Sequence, residues 1–132
     1  MGPIELTKDN FEQIIDSHDL VLIDFWATWC GPCRVFAPVF EKAAQKHENV
    51  AFGKVNTEEQ QELAAMFGVQ AIPTLVVFKE KIGIFSQPGA LPATALENVI
   101  EQAKALDMDE VRREITEEEA RKQSGAGAAG KA

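Results

Sequence analysis

The chain is poor in what would tie it to a membrane, to nucleic acid or to a metal. No apolar run in its 132 residues approaches the length of a membrane span. Basic residues are outnumbered, 13 Lys and Arg against 21 Asp and Glu, and the resulting net charge of -8 excludes the basic face that nucleic acid or an anionic membrane would require. There are only two cysteines and two histidines, and His18 and His47 lack the spacing of a metal-binding pair, so a four-ligand structural zinc site is not expected. The opening residues Met1-Gly2-Pro3-Ile4-Glu5-Leu6 hold no basic segment followed by a long apolar stretch, so no export leader is read there. The expected compartment is therefore the cytoplasm, where a close cysteine pair is more often catalytic or metal-binding than structural. No internal repeat is visible. What is present is a chain that is 45% hydrophobic, long enough to bury a core without disulfide staples.

Both cysteines fall in the run Trp29-Cys30-Gly31-Pro32-Cys33. Two intervening residues let the sulfurs meet only where the backbone turns sharply, which Gly31 permits and Pro32 locks by fixing its φ. Downstream, Val35, Phe36, Val39, Phe40, Ala43 and Ala44 recur at helical spacing, so a helix over 34–46 is expected with Cys30 at its N-terminus. Unpaired N–H groups and the positive end of the helix dipole favour a thiolate there. A zinc half-site lacks further ligands, and a static bridge closing so small a ring would remove little unfolded-state entropy. Reversible thiol-disulfide exchange remains. In it Cys30, nearer solvent and the helix terminus, attacks, and Cys33, one turn inside, resolves the mixed disulfide.

Around that motif the pattern alternates strands with helices. A short strand near Ile4-Glu5-Leu6 precedes a helix capped by Thr7 and carrying Phe11, Ile14 and Ile15. Residues 20–26 form a nearly unbroken apolar run, read as a central strand covered on both faces. A strand at 50–56 leads to a helix capped by Thr57 and ended by Gly68. Strands at 74–79 and 82–85 pair as a hairpin, and an amphipathic helix spans 92–106. The expected class is α/β, a central mixed sheet, mostly parallel with an antiparallel edge, and helices on both faces. The domain is expected over 1–106, an acidic helical extension over 107–123, and a low-complexity disordered tail over 124–132.

The run from Asp24 through Cys33, with Ala37-Pro38 downstream and Phe67-Gly68-Val69 before Ile72-Pro73-Thr74, resembles the thioredoxin family over roughly residues 3–106. The resemblance implies the thioredoxin fold, protein disulfide reductase activity and no bound cofactor beyond the redox-active Cys30-Cys33 disulfide. It implies that Asp24, whose pKa burial should raise, lies behind Cys33 and assists its deprotonation, with Lys54 nearby. It also implies a cis Ile72-Pro73 bond beside the cysteines and a flat apolar recognition surface of Trp29, Gly31, Pro32, Ile72, Gly89 and Ala90. Implied partners are an NADPH-dependent, flavin-containing thioredoxin reductase and disulfide-containing proteins, and the chain is expected to work as a monomer. A second reading from another class is a chaperone-like or assembly subunit that mainly binds partners, with redox activity secondary. An oxidant or isomerase is the third, disfavoured by the Gly31-Pro32 pair. In three places the chain departs from the family pattern: Glu80-Lys81 occupies the hairpin turn, Pro88 precedes the groove glycine Gly89, and the acidic stretch after Leu106 lies outside it.

Overall fold

Strand β2 (Leu20–Trp26) occupies the middle of a five-stranded sheet because its side chains, Asp24 apart, are apolar on both faces and it has a neighbour on each edge. The computed structural model describes residues 2–131, with side chains described for 2–124. On one side β2 pairs in parallel with β3 (Ala51–Asn56), which pairs in parallel with the short β1 (Ile4–Glu5). On the other it pairs antiparallel with β4 (Thr74–Lys79), the partner of β5 (Ile82–Pro88). The order is β1-β3-β2-β4-β5. Parallel and antiparallel pairings are therefore balanced, where a mostly parallel sheet was expected: β4 enters against β2, and the hairpin inherits that direction.

Alternation along β2 sends its side chains into two separate cores. Val21, Ile23 and Phe25 join Ala51, Val55 and Val76 beneath α1 (Phe11–Ser17) and α3 (Gln61–Met66), through Ile15 and Leu63. Leu20 and Leu22 join Phe52, Leu75 and Val77 beneath α2 (Gly31–Lys46) and α4 (Ala93–Ala105), through Phe36, Phe40, Leu96 and Ile100. Of the apolar positions that predicted α2, Val35 instead points to solvent, 69% exposed. Pro38 lies inside α2, which runs on through it to Lys46.

Two expected caps are corrected. Asn10, not Thr7, is the N-cap residue of α1; its Oδ1 accepts from the Thr7 amide at 2.8 Å and its Nδ2 donates to Glu5 O at 2.9 Å. Thr57 does not cap α3, which begins after Gln60. Its amide and hydroxyl both donate to Trp26 O, at 2.8 and 3.0 Å, tying the end of β2 to the chain after β3. Gly68 does take the left-handed position after α3, with φ +62. The hairpin turn is a two-residue one in which Glu80 and Lys81 both have positive φ, 49 and 71, the primed geometry that matches strand twist.

Beyond Leu106 a further helix, α5, spans Met108–Lys131. The Asp107 carboxylate accepts the amides of Asp109 and Glu110 at its start. Met108 is buried, and Arg112 donates to Glu80 at 2.7 Å and to Asp109 at 2.8 Å. The expectation of disorder over 124–132 falls on residues whose side chains from 125 on, together with the whole of Ala132, lie outside the described residues.

Candidate active site

Because β2 is buried and paired along both edges, it delivers the chain to one fixed point, where Ala27-Thr28-Trp29 turns into α2. Cys30 is the N-cap residue of α2, with extended backbone (φ -86, ψ 112), and Pro32 sits in the first turn, where its missing N–H leaves nothing unpaired. The Cys33 amide donates to Cys30 Sγ at 3.1 Å, one of the helix's orphan donors aimed at that sulfur. The two cysteines form a disulfide with their Cα atoms 5.2 Å apart. Each residue is only 3% exposed, so the expected greater exposure of Cys30 is not seen. What separates them is position: one precedes the helix, the other lies in its first turn.

The loop is held from outside by residues that sequence reasoning missed. Glu58 accepts from the Thr28 amide at 3.0 Å and hydroxyl at 2.8 Å, bonds that favour its charged form and lower its pKa. Arg34 reaches back from α2 to Thr28 O at 2.9 Å. Nothing local flags Glu58, because its partner lies 30 residues away.

The loop before β4 closes the site from the other side. The Ile72-Pro73 peptide is cis. Ile72 packs with Trp26, Ala27 and both cysteines, and its carbonyl oxygen lies 3.6 Å from Cys30 Sγ. The Gly89 amide donates to Pro73 O at 2.7 Å, and Gly89 has φ +102, a backbone side chains disfavour. Thus Ile72, Pro73 and Gly89 are brought together with the cysteines. Trp29 (68% exposed), Gly31, Pro32, Gly89 and Ala90 all face solvent.

Asp24 shares its face of β2 with Leu22 and Trp26, on the side covered by α2, and stands opposite Lys54 on β3. It is fully buried, and neither carboxyl oxygen has a hydrogen-bond partner among the described residues. Burial pushes its pKa from 3.8 up to about 7, against the opposing pull of the Lys54 ammonium. Lys54 is half-buried, its Nζ 5.0 Å from the centre of the Trp26 ring. Among the described residues no three His, Cys, Asp or Glu side chains cluster as a metal site would need, and no helix is long and apolar enough to cross a membrane.

A family model described as Thioredoxin matches residues 2–102. "Putative thioredoxin 2" of Streptomyces coelicolor is 56% identical over 117 residues, covering 89% of this chain and 87% of its own. That stretch is longer than the chain up to Leu106, so the likeness runs on into the extension. "Thioredoxin 1" of a Nostoc strain is 42% identical, over 74% of this chain and 94% of its own. Among solved structures, a mutant thioredoxin from Halobacterium salinarum superposes with a TM-score of 0.75 at 33% identity, over 80% of this chain and 94% of that one. The chain belongs to the thioredoxin family, and its Cys30-Cys33 pair makes it a protein disulfide reductase.

Proposed function

We propose that Cys30 is the attacking thiol and Cys33 the resolving one. The carrying observation is the Cys33 amide donating to Cys30 Sγ at the start of α2. In the reduced protein that donor and the helix dipole stabilise negative charge on Cys30, making it the nucleophile near neutral pH. The Cys30 thiolate bonds to one substrate sulfur and expels the other as a thiolate. Cys33 then loses its proton and attacks Cys30 Sγ, forming the Cys30-Cys33 disulfide and expelling the second substrate sulfur.

Asp24 takes up the Cys33 proton. A carboxyl poised near 7 is matched to that task, and the absence of competing hydrogen bonds among the described residues leaves its oxygens available. Lys54 acts through Asp24, moderating how far burial raises it. Trp29, Gly31, Pro32, Ile72, Pro73, Gly89 and Ala90 receive the substrate chain around the cysteines, with the Ile72 backbone pairing to it as an added strand would. An NADPH-dependent thioredoxin reductase returns the disulfide to the dithiol, in the cytoplasm, where such a reductant is maintained.

The test is Cys33→Ser against Cys30→Ser with a disulfide-containing protein. Cys33→Ser accumulates a stable mixed disulfide on Cys30, read by mass spectrometry, and Cys30→Ser forms none. Adducts on Cys33 of the Cys30→Ser protein would reverse the assignment.

A further inference from the structure

Few large apolar side chains stand in water here: Trp29, Val35, Met66, Leu106 and Ile115 are the exposed ones among the described residues. Trp29 has a place in the recognition surface, whereas Val35, 69% exposed within a helix, has none. A β-branched residue there is a poor helix former, and its side chain covers nothing. Its neighbours give it a context. Pro32, Val35, Val39, Lys42 and Lys46 recur at intervals of three and four along α2, so they lie in one stripe. At the far end Val39, Lys42 and Lys46 line an open groove of about 240 Å³ whose other wall is Ala93, Leu96 and Glu97 of α4. Lys46 is paired with Glu97 at 3.2 Å, while Lys42 makes no ion pair among the described residues. The helix carries Arg34, Lys42 and Lys46 against Glu41 alone, a local positive excess in a chain of net charge -8.

We propose that this stripe extends the substrate surface away from the cysteines and selects disulfide proteins by the residues beside the disulfide: an apolar side chain on Val35, then a carboxylate on Lys42. The inference rests on the reading in which Pro32 borders the bound substrate. Pro32 and Lys42 are ten positions apart, a span of roughly 15 Å along the helix. About five extended residues cover that distance, which sets where the carboxylate falls relative to the attacked cysteine. The apolar end supplies contact area, and Lys42 selects charge and register while steering encounter.

The test compares three model peptides containing the same disulfide. One has an arm with Leu near the cysteine and Asp-Glu about five residues on, the second has that arm on the other side of the disulfide, and the third has Ser-Gly arms. The wild type shows a KM roughly five- to tenfold lower for one armed peptide than for the Ser-Gly peptide, with kcat unchanged. Val35→Ser and Lys42→Glu each raise that KM towards the Ser-Gly value, and added salt does so partly. Armed and Ser-Gly peptides turned over alike by the wild type overturn the proposal while leaving the reductase reading intact. A wild type that reduces none of the three defeats that reading instead. A loss of rate in Val35→Ser that is equal for all peptides also overturns the proposal, since it marks a general effect on the cysteines.

Discussion

Two charged side chains are buried on the same face of the sheet, near opposite ends of β2, and they are treated in opposite ways. Lys79, opposite Leu20, sends its ammonium to the end of α4 and donates to the carbonyls of Ala103, Lys104 and Leu106 at 2.8, 3.0 and 3.0 Å. Those carbonyls lie at the negative end of a helix dipole, Ala103 O accepting from the Leu106 amide as well, so the charge is satisfied threefold and caps the helix. Asp24, opposite Leu75, has no such partner among the described residues; Lys54 offers attraction but no hydrogen bond. A buried charge that is fully satisfied holds structure, whereas one left unsatisfied holds its proton until something nearby needs the carboxylate.

The largest effect is expected at Asp24. On the reading above, Asp24→Asn leaves the first attack on substrate intact and slows release of reduced product by roughly a hundredfold, as stopped-flow mixing can resolve. Its stability should change in the opposite direction from its activity. The carboxyl titrates at about 7 in the folded protein against an ordinary 3.8, so the folded state holds the extra proton between those values. The contribution of this carboxyl to wild-type stability therefore falls as pH rises from about 4 to about 7 and levels off above, a loss of roughly 4 kcal/mol at most. Urea unfolding should find Asp24→Asn the more stable protein at about pH 8, with the advantage gone near pH 4. An advantage equal at both pH values would mean that this carboxyl does not titrate as its surroundings indicate.

Lys79→Met should do the reverse, costing roughly 1–3 kcal/mol because a buried carbonyl at Ala103 and two part-buried ones at Lys104 and Leu106 lose the ammonium donor, with no change in turnover per folded molecule. Urea unfolding beside an insulin-reduction assay separates the two. A loss of turnover would give the satisfied charge a chemical role as well. Just past that cap, removing residues 107–132 takes away the buried Met108 side chain, for a loss of about 2 kcal/mol, and leaves insulin reduction unchanged. Calorimetry on the shortened chain checks it. The smallest effect lies in the turn next to Lys79, where Lys81→Gly relieves a positive φ and should raise stability by up to about 1 kcal/mol, seen as a higher melting temperature.

How much of this was legible beforehand depended on how local the cause was. The run from Leu20 to Trp26 announced a buried strand, and Gly31-Pro32 between cysteines before a helical pattern announced the N-terminus of α2. Both signals lie within one element. Thr7 and Thr57 each precede a helical pattern and suit a cap, but the Thr7 hydroxyl accepts the Asp9 amide in a turn that precedes α1, and the Thr57 hydroxyl donates to the distant Trp26 carbonyl. Val35 fitted the helical period of α2 and still faces water, because the period shows which residues share a face and not how wide a face the sheet covers.

The elements, the placing of Cys30 at a helix start and the charge balance could be read along the chain, because each follows from neighbours within a few residues of one another. The folding of the chain onto itself set which strand runs against β2, that Glu58 clamps Thr28, that Ile72 lies against the cysteines, and that Lys79 finds three acceptors where Asp24 finds no hydrogen-bond partner among the described residues. These depend on contacts between residues far apart in the chain. Whether a buried polar group is satisfied is set by what the fold brings within hydrogen-bond distance, and no local pattern records that.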